Sequence, residues 1–222
     1  FKPLKQLIYH LNKSKIKICG IKDIETIDCC IKNKVNFFGL IFYSNSPRNI
    51  SLEKAQKLIK YSEQKKIRSV SVFVNENIEN LNRLLNVLKT QYIQLHGDET
   101  NTYIKAIKKN KVKIIKKISI KSSNDLADIS KFPDADMFLF DYKPNKKELP
   151  GGNAKSFDWQ IIKNIKIEKP WFLSGGIHIE NINDIKKFVI PYGIDISSGV
   201  EDTFGVKNHD KITSLIRAYE FQ

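Results

Sequence analysis

The chain has 222 residues, and 41% of them are hydrophobic, which suffices for one large domain with a sizeable core. No run of about 18 apolar residues occurs, so no membrane-spanning helix is expected. The formal net charge is +14. A strongly positive charge is common in proteins that bind nucleic acid or acidic membranes.

Short apolar runs alternate with amphipathic segments at intervals of roughly 25 residues, which is typical of βα units. The predicted strands, in chain order, are 15–19, 36–42, 68–74, 91–95, 112–118, 137–141, 170–174 and 192–197. Apolar stripes at helical spacing cover 52–59, 78–88, 182–189 and 212–219, and Ser51 is a candidate N-cap. Weaker helix patterns cover 24–33, 99–109, 122–131 and 156–166.

Eight strands, each followed by a helix, predict a single (β/α)₈ barrel over residues 15–222. An open, doubly wound parallel sheet is the alternative fold. Residues 1–14 form an N-terminal extension to which no function is attached. The loop from Tyr142 to Lys155 is the longest predicted connection, and we interpret it as a lid.

A thiol and a carboxyl stand at the ends of two predicted strands. Cys19 closes the first strand, and Asp141 closes the sixth, directly after an apolar run. Active sites of such barrels lie at the carboxyl ends of the strands, and a carboxylate is costly to bury unless it is paired or used. We therefore interpret the two residues as a general base and a general acid. A working thiol base would need a lowered pKa.

Further candidates lie at the ends of other strands. Arg48 follows the second strand and is suited to a carboxylate or a phosphate. Gln94 and His96, in the fourth strand, would face the same side because side chains alternate along a strand. No histidine or cysteine pattern has metal-ligand spacing, so no metal is expected.

Two glycine-bearing turns follow the last two strands. Gly175 and Gly176 follow the seventh strand, and Asp195 leads into Ser198 and Gly199 after the eighth. Backbone amides in such turns bind phosphate, and many barrels bind phosphate at these two places. Together with an acid and a base, the turns indicate an enzyme that acts on a sugar phosphate.

The cysteines indicate a reducing environment. Cys29 and Cys30 are adjacent in a predicted helix and are interpreted as packing residues. The chain contains no Cys-x-x-Cys pattern, so neither a disulfide framework nor a zinc site is indicated. The cytoplasm is the compartment that we expect.

The motifs resemble those of the phosphoribosylanthranilate isomerase family, over nearly the whole chain. The segments that carry the resemblance are Lys17-Ile-Cys-Gly-Ile21, Gly39-Leu-Ile-Phe-Tyr43 with Ser46-Pro-Arg48, Val72-Phe-Val74, Gln94-Leu-His-Gly-Asp-Glu99, Phe140-Asp141, Gly151-Gly152 with Phe157-Asp-Trp159, Leu173-Ser-Gly-Gly-Ile177 and Asp195-Ile-Ser-Ser-Gly-Val-Glu201. Ala154 stands where the family commonly has glycine, and alanine disfavours a positive φ.

The resemblance implies a (β/α)₈ barrel that catalyses, without metal or organic cofactor, the third step from chorismate to tryptophan. Asp141 would protonate the ribose ring oxygen of N-(5-phosphoribosyl)anthranilate, and Cys19 would then remove the C2′ proton. Arg48 would hold the anthranilate end. The turns at Gly175–Gly176 and Ser198–Gly199 would hold the phosphate, while Asp195 and His96 would line the same site. A monomer or a homodimer is expected.

Two other functions stay open at this point. A different sugar-phosphate barrel would use a metal or two aspartates, which the Cys19 and Asp141 pair argues against. A nucleic-acid-binding protein would explain the charge, but the lysines are spread over all predicted helices, with no arginine-rich stripe or aromatic platform. We therefore expect no nucleic acid and no membrane as partner.

Overall fold

A computed structural model describes residues 14–145, 148 and 150–220, and it places eight parallel strands in one closed barrel. The strands pair in chain order and β1 closes the barrel against β8. The predicted (β/α)₈ barrel is confirmed and the open sheet is wrong. The strands are β1 (Lys15–Cys19), β2 (Phe37–Phe42), β3 (Arg68–Phe73), β4 (Tyr92–Leu95), β5 (Lys113–Ile120), β6 (Met137–Tyr142), β7 (Trp171–Leu173) and β8 (Gly193–Ile196).

The helices pack outside the barrel on their apolar stripes. They are α1 (Ile24–Lys32), α2 (Leu52–Ser62), α3 (Ile78–Leu88), α4 (Asn101–Ile107), α5 (Ile185–Phe188) and α6 (His209–Glu220). Ser51 caps α2 as predicted, because its side chain accepts a hydrogen bond from the backbone N–H of Lys54. Among the described residues, no helix is both long and apolar enough to cross a membrane.

Two of the weaker helix predictions became 3₁₀ helices, Ser123–Lys131 and Trp159–Ile162. Asp125 accepts hydrogen bonds from the backbone of Lys121 and Ser122 and forms a capping box with Ser122 at the start of the first of them. The second segment is rich in isoleucine, whose branched side chain lowers helix propensity.

The core has two parts because side chains alternate along each strand. The outer part lies between the strands and the helices, and it holds most of the buried residues, including Cys30. The inner part fills the barrel with Cys19, Phe37, Val70, Val72, Ile115, Met137, Leu139 and Phe172. A filled barrel leaves space for a ligand only at its ends, as is usual in this architecture.

Two features lie outside the regular alternation of strands and helices. A short hairpin, β9 (Glu201–Thr203) and β10 (Val206–Lys207), follows β8 and was not predicted. At the other end, the Tyr219 hydroxyl donates to Ser14 Oγ at 2.9 Å, which ties α6 to the residue before β1. Residues 1–13 lie outside the described part of the chain, so the division into an extension, 1–14, and a barrel, 15–222, stays a prediction.

Candidate active site

Two adjoining clefts open at the carboxyl ends of the strands. The smaller has a volume of about 380 Å³ and the larger about 560 Å³, open solvent included. They share six lining residues, so we describe them as one bipartite site: Asp141, Gly151, Gly152, Ser174, Asp195 and Ser197.

The larger cleft contains the candidate base. Cys19 ends β1 with 6% of its surface exposed, and it faces apolar neighbours that include Ile41, Val72 and Val74. Gly39 on β2 makes room for the thiol, since a Cβ there would lie 2.5 Å from Cys19 Sγ. Burial raises the pKa of the Cys19 thiol, and the Lys17 ammonium opposes that rise. The net direction is upward, so the environment shown here does not supply the lowered pKa that a working thiol base needs.

Asp141 borders both clefts from the end of β6. Its Oδ1 accepts a hydrogen bond from the backbone N–H of Tyr142 at 2.8 Å, and its Oδ2 lies 3.4 Å from His96 Nε2. The pKa of His96 is lowered by burial and by the Lys117 ammonium, which together outweigh the attraction of Asp141. The imidazole is therefore neutral at pH 7.

A chain of buried polar contacts joins the two sides of the site. Lys17 Nζ donates to Asp195 Oδ2 at 2.7 Å and to Gln94 Oε1 at 3.0 Å. Gln94 Nε2 lies 2.9 Å from His96 Nδ1. The chain thus runs from Asp195 through Lys17, Gln94 and His96 to Asp141, and it spans the barrel between β8 and β6.

Arg48 lies at the edge of the larger cleft in a bidentate ion pair. Its Nε and Nη2 donate to the two carboxylate oxygens of Glu201 at 2.8 and 2.7 Å. Lys207 Nζ also donates to Glu201, at 2.6 Å. Burial opposes the charge on Glu201, but Arg48 and Lys207 outweigh it and lower the pKa of this carboxyl. The remaining nitrogen, Nη1, faces Gly152, where a Cβ would lie only 2.4 Å from it.

The two glycine-bearing turns meet at the smaller cleft. Gly175 and Gly176 have φ values of 89° and 61°, which glycine adopts without strain. A Cβ at Gly199 would lie 2.0 Å from the carbonyl oxygen of Ile177, so the turns after β7 and β8 pack directly together. Within the described chain, the amides of Gly176, Ser198 and Gly199 have no hydrogen-bond partner. Such amides are suited to an anion.

A family model described as N-(5′-phosphoribosyl)anthranilate isomerase matches residues 16–218. The chain belongs to this isomerase family. It is 35% identical to the isomerase of Paramagnetospirillum magneticum over 207 residues, which cover 92% of this chain and 96% of that protein. Among solved structures, the isomerase of Thermotoga maritima has a TM-score of 0.85 at 28% identity, covering 95% of this chain and all of that one.

A second solved isomerase was determined in complex with reduced 1-(o-carboxyphenylamino)-1-deoxyribulose 5-phosphate. It has a TM-score of 0.80 at 27% identity, and the match covers 95% of this chain and 100% of that chain. The family relation therefore extends over the whole barrel and includes a relative that was crystallised with a sugar-phosphate ligand.

The structure of this family member brings nearly all of the predicted site residues to one place. Cys19, Arg48, Gln94, His96, Asp141 and Asp195 line the larger cleft, and Gly175, Gly176 and Ser198 line the smaller. Gly199 lies behind the smaller cleft, where it supports the turn after β7. No three His, Cys, Asp or Glu side chains in the described part of the chain are grouped as a metal site requires.

Sequence reasoning missed the lysines of the site. Lys17 and Lys117 are buried on the inner side of β1 and β5, and Lys207 reaches the site from the hairpin. Lys117 Nζ donates to the carbonyl of Pro150 at 3.1 Å, and burial lowers the pKa of this lysine. A lysine two residues before a candidate base, and so on the same face of the strand, is the signal that would have identified Lys17.

Proposed function

We propose that this site converts N-(5′-phosphoribosyl)anthranilate to 1-(2-carboxyphenylamino)-1-deoxyribulose 5-phosphate, a step of tryptophan biosynthesis. The observation that carries the proposal is the pairing of Cys19 and Asp141 in one cleft that continues into the two glycine-bearing turns. The substrate has a phosphate at one end and an aromatic ring at the other, and the site is divided in the same way.

The phosphate fits the smaller cleft. The free amides of Gly176 and Ser198, which line this cleft, supply donors for its oxygens, and the free amide of Gly199 follows directly in the chain. The anthranilate ring fits the larger cleft, whose lining includes Ile41, Val72 and Val74. Arg48 Nη1, which faces Gly152, is the donor for the anthranilate carboxylate, while Glu201 holds the other two nitrogens in place.

The chemistry consists of two proton transfers. Asp141 gives its proton to the ribose ring oxygen, so that the ring opens to a Schiff base. The Cys19 thiolate then takes the proton from C2′, which leaves an enolamine, and tautomerisation gives the ketone. Each transfer by a positioned group contributes about 10²–10⁴-fold. All atoms of the substrate are retained, as an isomerisation requires.

The remaining residues support these steps. His96 lies beside Asp141 and directs a ring nitrogen to the carboxylate that forms when the acid has given up its proton. Asp195 Oδ1 is buried at the edge of both clefts and has no hydrogen-bond partner among the described residues. It is placed to accept a hydrogen bond from a sugar hydroxyl.

The test is turnover by the purified protein. Phosphoribosylanthranilate is generated in situ because it is labile, and its anthranilate-type fluorescence is followed. We expect fluorescence to disappear at a rate proportional to enzyme concentration. A folded protein that leaves the fluorescence unchanged would contradict the proposal. Sedimentation of the same preparation would decide between the monomer and the homodimer, both of which are compatible with the site lying within one barrel.

A further inference from the structure

We propose that Lys17 is a positioning residue for both proton transfers. It stabilises the thiolate form of Cys19, and through Gln94 it fixes the ring of His96 beside Asp141. This inference rests on the proposed function for the roles of Cys19 and Asp141, and it names a third residue on which both depend.

Lys17 occupies the centre of the barrel. It is 0% exposed, and it lies two residues before Cys19 on the same side of β1. Its partner on β8 is Asp195, which stands opposite it in the strand register. A fully buried ammonium is costly unless it is paired, and Lys17 Nζ is held by Asp195 at 2.7 Å and Gln94 at 3.0 Å.

On the side of the base, few charges act on the thiol. Lys17 lies on the same strand, Asp195 on β8 and Lys207 on the hairpin, whereas β2 presents only Gly39. Burial and Asp195 favour the neutral thiol, while Lys17 and Lys207 favour the thiolate. Of the two cations, Lys17 stabilises the thiolate more strongly. The attraction is mutual, since the pKa of Lys17 is raised by Asp195 and by Cys19 in spite of burial.

On the side of the acid, Lys17 determines a tautomer. An ammonium can only donate, so Gln94 must turn its Oε1 to Lys17 and its Nε2 to His96. His96 Nδ1 must then accept, and the single proton of the neutral ring lies on Nε2. His96 Nε2 lies 3.4 Å from Asp141 Oδ2. Without Lys17, the Gln94 amide is free to reverse and the proton can move to the other nitrogen.

The chain offers a matched control. Lys116 is also buried and also pairs with a carboxylate, that of Glu99 at 2.8 Å. It lies on β5, on the outer side of the barrel, and is not among the groups that most influence the Cys19 thiol. A lysine that merely fills space and pairs a charge would behave like Lys116 when it is replaced.

The experiment measures the pH dependence of Cys19 alkylation by iodoacetamide in the full chain, without substrate. Mass spectrometry of the Cys19 peptide separates its reaction from those of Cys29 and Cys30. We expect Lys17→Met to raise the midpoint by about one unit or more, Asp195→Asn to lower it, and Lys116→Met to leave it unchanged. The opposite directions for the two ends of one ion pair are the signature of an electrostatic role.

An unchanged midpoint in Lys17→Met, or a rise in Asp195→Asn, would overturn the proposal. If Lys17→Met does not fold, the sign of the shift in Asp195→Asn decides the question alone. The acidic limb of the kcat/KM profile should move with the alkylation midpoint, and Lys17→Arg should restore most of both. Because alkylation needs no substrate, its outcome is separate from whether the wild type turns over phosphoribosylanthranilate.

Discussion

The pairs Lys17–Asp195 and Lys116–Glu99 are both buried contacts between a lysine and a carboxylate, but their carboxylates are satisfied to different degrees. Glu99 accepts from Lys116 Nζ and from the amides of Asn75 and Gly97, and Lys116 also donates to the carbonyl of Gly97. In the described structure, Asp195 accepts only from Lys17, and its Oδ1 has no partner.

The difference separates a structural ion pair from a functional one. The Glu99 pair is closed: it ties the turns after β3 and β4 together behind the site. The Asp195 pair is open, and the open oxygen borders both clefts. A buried polar atom without a partner is costly, and for this reason we propose that Asp195 Oδ1 accepts a hydrogen bond from the substrate. Five substitutions examine this distinction.

The largest effect on stability is expected at the closed pair. Glu99→Gln leaves Lys116 as a buried cation without a counter-charge, and the new amide group faces backbone donors. Breaking a buried pair in this way costs about 3–5 kcal/mol. Urea unfolding would measure the loss. A change below about 1 kcal/mol would show that Glu99 is not held as tightly as its hydrogen bonds indicate.

At the open pair, substitution should affect turnover more than stability. Asp195→Asn also removes the counter-charge of a buried lysine, but its amide oxygen can still accept from Lys17, and its NH₂ group takes the side that has no partner instead of facing backbone donors. We expect a smaller loss of stability than in Glu99→Gln. The value of kcat/KM should fall about 10- to 100-fold, because a hydrogen bond to a charged group contributes about 1.5–3 kcal/mol. Equal effects of the two substitutions on stability and on turnover would remove the distinction.

His96 is connected to the Lys17–Asp195 pair through Gln94, and its lowered pKa makes the free energy of unfolding depend on pH. Burial and Lys117 lower its pKa below the ordinary value of 6.5, so the unfolded chain binds a proton that the folded chain does not. Stability from this residue is therefore present above pH 6.5 and is lost as the pH falls through the folded-state pKa. We expect the free energy of unfolding to fall less between pH 7 and pH 5 in His96→Gln than in the wild type. Identical slopes would mean that His96 is not held neutral.

The smallest effect concerns the loops that cover the two pairs. Ala154 has a φ of 55° and Asn75 a φ of 50°, but Asn75 is secured, since its Oδ1 accepts from the amide of Asp98 at 2.6 Å. Ala154→Gly should raise stability by roughly 0.5–1 kcal/mol by relieving the left-handed conformation. Asn75→Gly should lower it through the lost hydrogen bond. Thermal unfolding of both variants would check the contrast, and a loss of stability in Ala154→Gly would contradict it.

Much of this molecule could be predicted from its sequence. The alternation of apolar runs with amphipathic stripes gave the eight strands and the barrel, because both signals arise from local periodicity. The site residues at strand ends could be placed together because parallel strands end at one edge. The predicted roles of Cys19, Asp141 and their neighbours remain predictions until turnover is measured.

What could not be predicted depends on contacts between distant segments. The partner of Arg48 is Glu201, 153 residues away, and the hydrogen bond that orients Gln94 comes from a lysine 77 residues away. The positive φ of Ala154 opposed its local preference, and the loop geometry prevailed. The 3₁₀ helices over Ser123–Lys131 and Trp159–Ile162 replaced weaker helical patterns for local reasons that the apolar spacing does not reveal.

The central claim is that Cys19 and Asp141 transfer the two protons of the isomerisation. The direct measurement is kcat with phosphoribosylanthranilate for the wild type, Cys19→Ala and Asp141→Asn, with the folded state of each checked by circular dichroism. We expect each variant to fold and to lose about 10²–10⁴-fold in kcat. A folded Cys19→Ala or Asp141→Asn protein that turns over within about threefold of the wild type, well inside the range for a proton-transfer group, would contradict the account.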